Sequence, residues 1–153
     1  MEYTLVKENN FEKARRKIEQ SKKEDKKIIF NSEDDELNRK ILEKQKIDIL
    51  LINVSKRKDK QKERNSGLDE VMAKLAEKNK IEIGINLDEV IESNSLKEKS
   101  EIIARIKQNV ELCKKNKVGM KFVVQDKKNE RDKYDLKSLG TILGMSTIMT
   151  KNL

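Results

Sequence analysis

The sequence of 153 residues contains no histidine, no proline, no tryptophan and only one cysteine. Histidine is the commonest general base and the commonest metal ligand, so its absence excludes Ser-His-Asp triads, Cys-His pairs and histidine metal sites. A single cysteine excludes an internal disulfide and a cysteine-rich zinc site. Only five glycines are present, and neither glycine-rich phosphate motif, G-x-G-x-x-G or the P-loop, occurs. The commonest sequence signatures of enzymes are therefore missing.

The sequence also lacks an apolar run near 18 residues and a charged-then-apolar leader. Together with the lone cysteine, these absences predict a soluble protein of a reducing, intracellular compartment. Cys113 falls on an apolar helical face with no histidine to activate its thiol. It is therefore predicted to be a small buried core residue and not a nucleophile.

Charged residues make up 42% of the sequence and hydrophobic residues 35%, which approaches the composition of disordered chains. The apolar residues are nevertheless clustered in short runs rich in β-branched residues, which is typical of buried strands. Between these runs, apolar residues recur at helical spacing behind capping residues. The predicted strands span 3–6, 28–30, 47–54, 81–87 and 120–124, and the predicted helix starts are Asn9, Ser32, Ser66–Asp69 and Ser95, with a last helix ending near Gly144.

Strand and helix alternate about five times along the chain. Such alternation favours parallel strands joined by right-handed helical crossovers, in either an open doubly wound sheet or a barrel. No low-complexity linker divides the sequence, so residues 1–153 are predicted to form a single domain. Two pairs of acidic residues, Asp34-Asp35 and Asp69-Glu70, lie at predicted helix starts, where they complement the helix dipole.

The most distinctive charged feature is the stretch from Lys56 to Arg64, in which six of nine residues are basic and two are acidic. It directly follows the longest strand, and a second basic group at 127–137 follows the fifth strand. In a parallel sheet both groups would open on the same edge and form a positive rim suited to RNA or DNA. The predicted phosphate contacts are Lys56, Arg57, Lys58, Lys60 and Arg64, then Arg131 and Lys137, with the helical residues Lys74 and Arg105 as further candidates.

Aromatic side chains that could stack on bases are few, namely Tyr3, Phe11, Phe30, Phe122 and Tyr134. Contacts to the backbone and shape of folded RNA are therefore favoured over reading of single strands by stacking. The abundance of lysine has a second explanation, since it is also what solubility or a biased genome composition would produce.

Several segments resemble ribonuclease P protein component 3, the archaeal-type counterpart of the eukaryotic thirty-kilodalton ribonuclease P subunit. They are Ile47-Asp48-Ile49-Leu50 with Lys56–Asp59, then Gly67–Ala76 leading through Asn79 into the strand 81–87, then Ile102–Lys115, and finally Tyr134–Lys137 with Leu143-Gly144-Met145. The departures from the family pattern include Gly84, where the family has an acidic residue, and Lys137, where it has an arginine.

The resemblance implies an α/β fold, a distorted or incomplete TIM-type barrel of about five to seven strand–helix units, shortened at the N-terminus. It implies a protein subunit of the ribonucleoprotein that removes the 5′ leader from precursor tRNA, with ribonuclease P RNA, precursor tRNA, ribonuclease P component 2 and the other protein subunits as partners. In that family the RNA performs the Mg²⁺-dependent hydrolysis, so the protein is expected to bind no cofactor and to carry no catalytic residue. The location is then the cytoplasm, or the nucleus for a eukaryotic source.

The sequence leaves two other functions open. A metal-dependent hydrolase on a TIM-type scaffold would have to use carboxylates such as Asp48, Glu82 and Asp88, and Asp48 lies near a strand start, the wrong end for a barrel site. The other alternative is an interaction scaffold that binds no RNA.

Overall fold

The computed structural model describes residues 2–153. Residue 1, which the predicted domain of residues 1–153 includes, lies outside the described residues. The strands are β1 (Tyr3–Lys7), β2 (Lys27–Asn31), β3 (Ile49–Ile52), β4 (Glu82–Asn86) and β5 (Met120–Val123), and the helices are α1 (Phe11–Lys23), α2 (Asp35–Lys44), α3 (Glu70–Lys78), α4 (Leu87–Ile91), α5 (Leu96–Asn116), α6 (Lys133–Ile142) and α7 (Thr147–Lys151). None of the helices within residues 2–153 is long and apolar enough to cross a membrane.

The five strands form one parallel sheet whose spatial order, β1-β2-β3-β4-β5, is the order of the sequence. A doubly wound sheet reverses direction at a switch point, whereas a barrel adds each strand beside the one before it. The order therefore selects the barrel among the two predicted alternatives. Within residues 2–153, β1 and β5 are the two edges and do not pair with each other, so the barrel is incomplete, as expected.

The two faces of the sheet bury different amounts of apolar surface. Alternate residues such as Phe30, Leu50 and Ile83 join the large core beneath the helices. The residues between them form a small second cluster on the other, concave face, made of Ile29, Ile49, Leu51 and Val123. Successive side chains of a strand point to opposite faces, which is why near-continuous apolar strands were needed to fill both clusters.

Side-chain caps start the helices close to the predicted positions. Ser95 accepts a hydrogen bond from the N–H of Glu98, as predicted for the start of α5. The predicted cap Asn9 is wrong by one residue, because Asn10 caps α1. Asn9 instead accepts hydrogen bonds from the Ser32 hydroxyl and the Glu33 N–H, which join the first two strand–helix connections.

Two short helices escaped prediction. The helix α4 begins at Leu87, which was assigned to the preceding strand, and α7 follows the last predicted helix. Each has only five residues, too few for a repeating apolar pattern. Cys113 is fully buried, as predicted, and its burial raises the pKa of the thiol to about 12.

Candidate nucleic-acid interface

The connection between β3 and α3, residues 53–69, carries the first predicted basic group and is called the basic loop below. It leaves the end of β3 and therefore lies at the edge of the sheet where the strands end, here called the carboxyl edge. Lys60 and Glu63 form an isolated antiparallel bridge, which makes the tip a short hairpin. Four of the five leading candidates in it are exposed, namely Lys56, Lys58, Lys60 and Arg64.

Arg57, the fifth candidate, points into the protein, and its side chain is only 10% exposed. Its Nη1 and Nη2 donate to the two carboxylate oxygens of Asp35 at 2.8 and 3.1 Å, a bidentate pair with the first residue of α2. Its Nε donates to the carbonyl of Asn53 at 2.6 Å, and Nη1 also donates to Oδ1 of Asn65 at 3.2 Å. The guanidinium therefore ties the two ends of the basic loop to α2, and it has little left to offer an external phosphate.

Gly67 makes room for this arginine. Its φ is +79°, in the region that favours glycine, and a Cβ there would lie 2.5 Å from Nη2 of Arg57 and 2.7 Å from Cγ2 of Ile52. The Gly67 of the family-like segment is thus explained by close packing against the ion pair.

Arg105, on α5, holds the same loop from the other side and is 3% exposed. Its Nη1 donates to the carbonyl of Val54 at 3.0 Å, and its Nη2 donates to the carbonyl of Arg57 at 2.8 Å and to Asp59 at 3.3 Å. The Asn65 N–H first, and Arg105 with it, hold the pKa of the Asp59 carboxyl below its usual value. The sequence analysis offered Arg105 as a further candidate for phosphate contact, and the structure buries it as an anchor of the basic loop.

The second basic group follows β5 and includes a single 3-10 turn at Lys127–Asn129. Arg131 is exposed, and its Nη1 donates to the nearby carbonyls of Lys128 and Glu130. Lys128 pairs with Glu92 at 3.4 Å and with Asp126 at 3.5 Å, which raises its pKa. Lys137 is partly buried on α6. The candidate Lys74 is exposed on α3, where its Nζ lies 4.0 Å from a Glu70 oxygen.

The two basic groups share the carboxyl edge, as predicted, but they do not form one continuous positive rim. Between them lies a cleft of about 340 Å³, with Lys56 on one side and Gln125 on the other, lined by the carboxylates of Asp88, Glu89 and Glu92. Helix starts favour acidic residues because of the helix dipole, and the cleft contains Asp88 and Glu89 from the first turn of α4 and Glu98 from the first turn of α5. Contact between RNA and the residues of either basic group stays a prediction.

The carboxylates considered for a hydrolase do not converge. Asp48 lies where the strands begin and accepts a hydrogen bond from the Ile28 N–H at 2.7 Å. Asp88 lies at the carboxyl edge and accepts from the N–H of Gln125 at 2.9 Å and from the side chain of Asn129 at 2.8 Å. Among residues 2–153, no group of three His, Cys, Asp or Glu residues could hold a metal ion. These acids stabilise connections between elements.

The comparison with protein families decides the family. Residues 4–153 match the sequence model of RNase P subunit p30. The chain belongs to the RNase P subunit p30 family. The resemblance drawn from its motifs is therefore confirmed over nearly the whole chain. No curated protein sequence matches it.

A solved structure has the same fold as this family member. A chain of archaeal ribonuclease P, determined by cryo-EM with mature tRNA, superposes with a TM-score of 0.77 at 20% sequence identity. The superposition covers 97% of the present chain and 62% of the archaeal one. The α/β fold and its incomplete TIM-type barrel are thus confirmed, and the family member spans less than two thirds of that relative.

Sequence reasoning missed a row of asparagines at the carboxyl edge of the family member. The Asn86 amide donates to Oδ1 of Asn53 at 2.9 Å, the Asn53 amide donates to Glu33 at 3.1 Å, and the Asn31 amide donates to the Leu51 carbonyl at 2.9 Å. A signal for them exists, because β2, β3 and β4 each lead from isoleucine or phenylalanine directly into asparagine. These amides bond mostly to one another and to main chain, where an enzyme barrel would carry catalytic groups.

Proposed function

We propose that this chain is a protein subunit of ribonuclease P, the ribonucleoprotein that removes the 5′ leader from precursor tRNA. The observation that carries the proposal is the family match over residues 4–153. The archaeal relative, whose structure contains tRNA, supports it through a shared fold. The partners are ribonuclease P RNA, precursor tRNA, ribonuclease P component 2 and the other protein subunits, and the location is the cytoplasm, or the nucleus for a eukaryotic source.

The chain's own part is to bind and stabilise the RNA, while the RNA and its Mg²⁺ perform the hydrolysis. The exposed lysines of the basic loop supply cations, and Arg57 and Arg105 hold the loop that carries them. Cations placed between RNA helices reduce the repulsion of their phosphates, so less Mg²⁺ is needed for the active RNA fold. No cofactor bound by the protein is part of the proposal.

The first test is to isolate the tagged protein from its own cells, sequence the bound RNA and identify the proteins that co-purify. Recovery of ribonuclease P RNA with ribonuclease P component 2 is expected. An RNA-free complex would instead support the interaction scaffold and overturn the proposal.

The role of the basic loop is tested by reversing three of its exposed charges together, Lys58→Glu, Lys60→Glu and Arg64→Glu. Each lost phosphate contact lowers the slope of log affinity against log salt by about 1, so the variant should bind ribonuclease P RNA more weakly and with a shallower slope. A reconstituted enzyme containing it should need more Mg²⁺ for half-maximal cleavage of precursor tRNA. Arg57 is left intact because its loss would disturb the loop itself.

The matched control reverses three exposed charges on helix surfaces, Lys13→Glu, Arg16→Glu and Lys107→Glu. It changes the net charge by the same amount and should retain most of the affinity. Equal losses in the two variants would show that net charge, and not the basic loop, accounts for binding.

A further inference from the structure

The edge of the sheet opposite the basic loop, where the helices end and the strands begin, is called the amino edge. Its four connections, each counted with the last turn of the helix before it, span residues 20–26, 41–48, 75–81 and 113–119. They contain ten lysines, five acidic residues and no arginine or aromatic residue. At the carboxyl edge, the connections that follow the strands, each counted with the first turn of the next helix, span residues 8–14, 32–38, 53–73, 87–99 and 124–136. They hold thirteen basic and eighteen acidic residues.

Of the two edges, the amino edge therefore carries an excess of positive charge, and the edge that carries the basic loop carries an excess of negative charge. Helix dipoles account for part of this distribution, since cations are stabilised at helix ends and anions at helix starts. Seven of the ten lysines form no ion pair with another of residues 2–153, namely Lys22, Lys23, Lys44, Lys46, Lys78, Lys114 and Lys117. Their charges are available to a partner.

Three of the four connections also share a backbone geometry in which glycine is the usual residue. The helices α1, α3 and α5 each end in a Schellman turn whose left-handed residue is Asp25, Lys80 or Lys117, with φ of 54°, 57° and 59°. In each turn a main-chain N–H donates to the carbonyl five residues earlier. These 6→1 hydrogen bonds join Lys26 to Ser21, Ile81 to Ala76 and Val118 to Cys113. Glycine is usual at this position because other residues are strained there. At two of these turns the strained residue is a lysine.

The two strained lysines are neighbours. Because β4 pairs with β5, the turns before these strands lie side by side, and Lys80 and Lys117 line one shallow pocket of about 240 Å³ with Glu77 and Glu82. Lys80 lies 3.8 Å from Glu77, but its side chain is 85% exposed, so this ion pair contributes little. Both ammonium groups can therefore turn outward to an anion.

We propose that the amino edge, centred on Lys80 and Lys117, is a second RNA-binding face, which contacts phosphates on the opposite side of the sheet from the basic loop. The proposal rests on the proposed function, because the RNA is that of ribonuclease P. Lysine without arginine or aromatic residues suits point contacts to the phosphate backbone and not base reading. With cations on two opposite edges, the protein bridges two RNA segments.

The left-handed turns allow a test in which stability and binding change in opposite directions. The double variant Lys80→Gly/Lys117→Gly removes two charges and also relieves two strained residues. Its melting temperature should rise by about 2–4 °C, while its affinity for transcribed ribonuclease P RNA should fall by about tenfold, with a salt slope shallower by about 2. Because the variant is expected to be more stable, weaker binding cannot be ascribed to misfolding.

Two variants with the same backbone change serve as controls. Asp25→Gly relieves strain at the same edge but removes a negative charge, so RNA affinity should be retained or increased. Lys56→Gly relieves a left-handed residue, with φ of 58°, in the basic loop. If the double variant bound the RNA with unchanged affinity while Lys56→Gly bound it more weakly, the proposal of a second RNA-binding face would be overturned and the proposed function would stand. Failure of the parent protein to bind the RNA at all would overturn both.

Discussion

Arg105 lies on the buried stripe of α5, three residues after Ile102 and four before Asn109, and this spacing places its side chain against the core. The sequence contained the signal, but charged side chains are usually solvated. What the sequence could not supply was the partner, because the carbonyls of Val54 and Arg57 lie about fifty residues away along the chain. The position of Arg105 could thus be predicted from helical period, whereas its role depends on a loop conformation that no local pattern encodes.

The anchoring role of Arg105 can be measured. Arg105→Ala leaves buried carbonyls without donors and frees the basic loop, so the free energy of unfolding in urea should fall by about 2–3 kcal/mol. Arg105→Lys should recover little of this loss, because an ammonium group cannot span two carbonyls and Asp59 as a planar guanidinium does. Hydrogen exchange at the Asn65 amide, which donates to Asp59 at 2.7 Å, should accelerate in both variants.

The matched control is Arg16→Ala on α1, which removes an exposed arginine and should change stability by less than about 0.5 kcal/mol. Equal effects of Arg105→Ala and Arg16→Ala would contradict the anchor.

At the scale of whole elements, the five strands and the long helices were predictable because burial on a sheet or a helix face imposes a period on the sequence. The connection before α6 and the short α4 were not, since their conformation depends on single contacts such as those of Asp88 with Gln125 and Asn129. Strand β4 adds a feature that no period shows. Gly84 occupies the concave face, and a Cβ at Gly84 would lie 2.9 Å from Cγ2 of Ile49 and 3.3 Å from Cα of Leu51.

The packing at Gly84 predicts a cost for the smallest added side chain. Gly84→Ala should lower the free energy of unfolding by about 1–3 kcal/mol, because neighbouring strand residues must move to admit the methyl group. Gly119→Ala is the matched control, since the atoms nearest to a Cβ there belong to the flexible side chain of Glu82, with Oε2 at 2.9 Å. Thermal or urea unfolding should separate the two substitutions, and a stable Gly84→Ala would contradict the close approach of the strands.

At the scale of the whole molecule, the alternation of strands and helices predicted a parallel sheet but left two arrangements open. Strand order is a property of long-range pairing, and hydrophobic period is the same in a doubly wound sheet and in a barrel. The family resemblance, not the pattern, pointed to the barrel. The charge distribution was likewise hidden, because acidic and basic residues separate only when helix starts and helix ends are gathered at opposite edges.

The open barrel predicts an uneven pattern of backbone protection across the sheet. The N–H of Glu8 donates to the Asn31 carbonyl of β2 at 3.3 Å. Because N–H groups alternate in direction along a strand, the N–H of Val6 also faces β2, whereas those of Tyr3, Leu5 and Lys7 face the open side. Hydrogen exchange followed by NMR should therefore be slow at Val6 and fast at Leu5, whereas neighbouring amides of the central strand β3 should both be slow. Slow exchange at Leu5 and Lys7 in the isolated protein would mean that another strand covers this edge, as in a closed barrel. Slow exchange only after assembly with the other ribonuclease P components would instead place the edge at an interface between subunits.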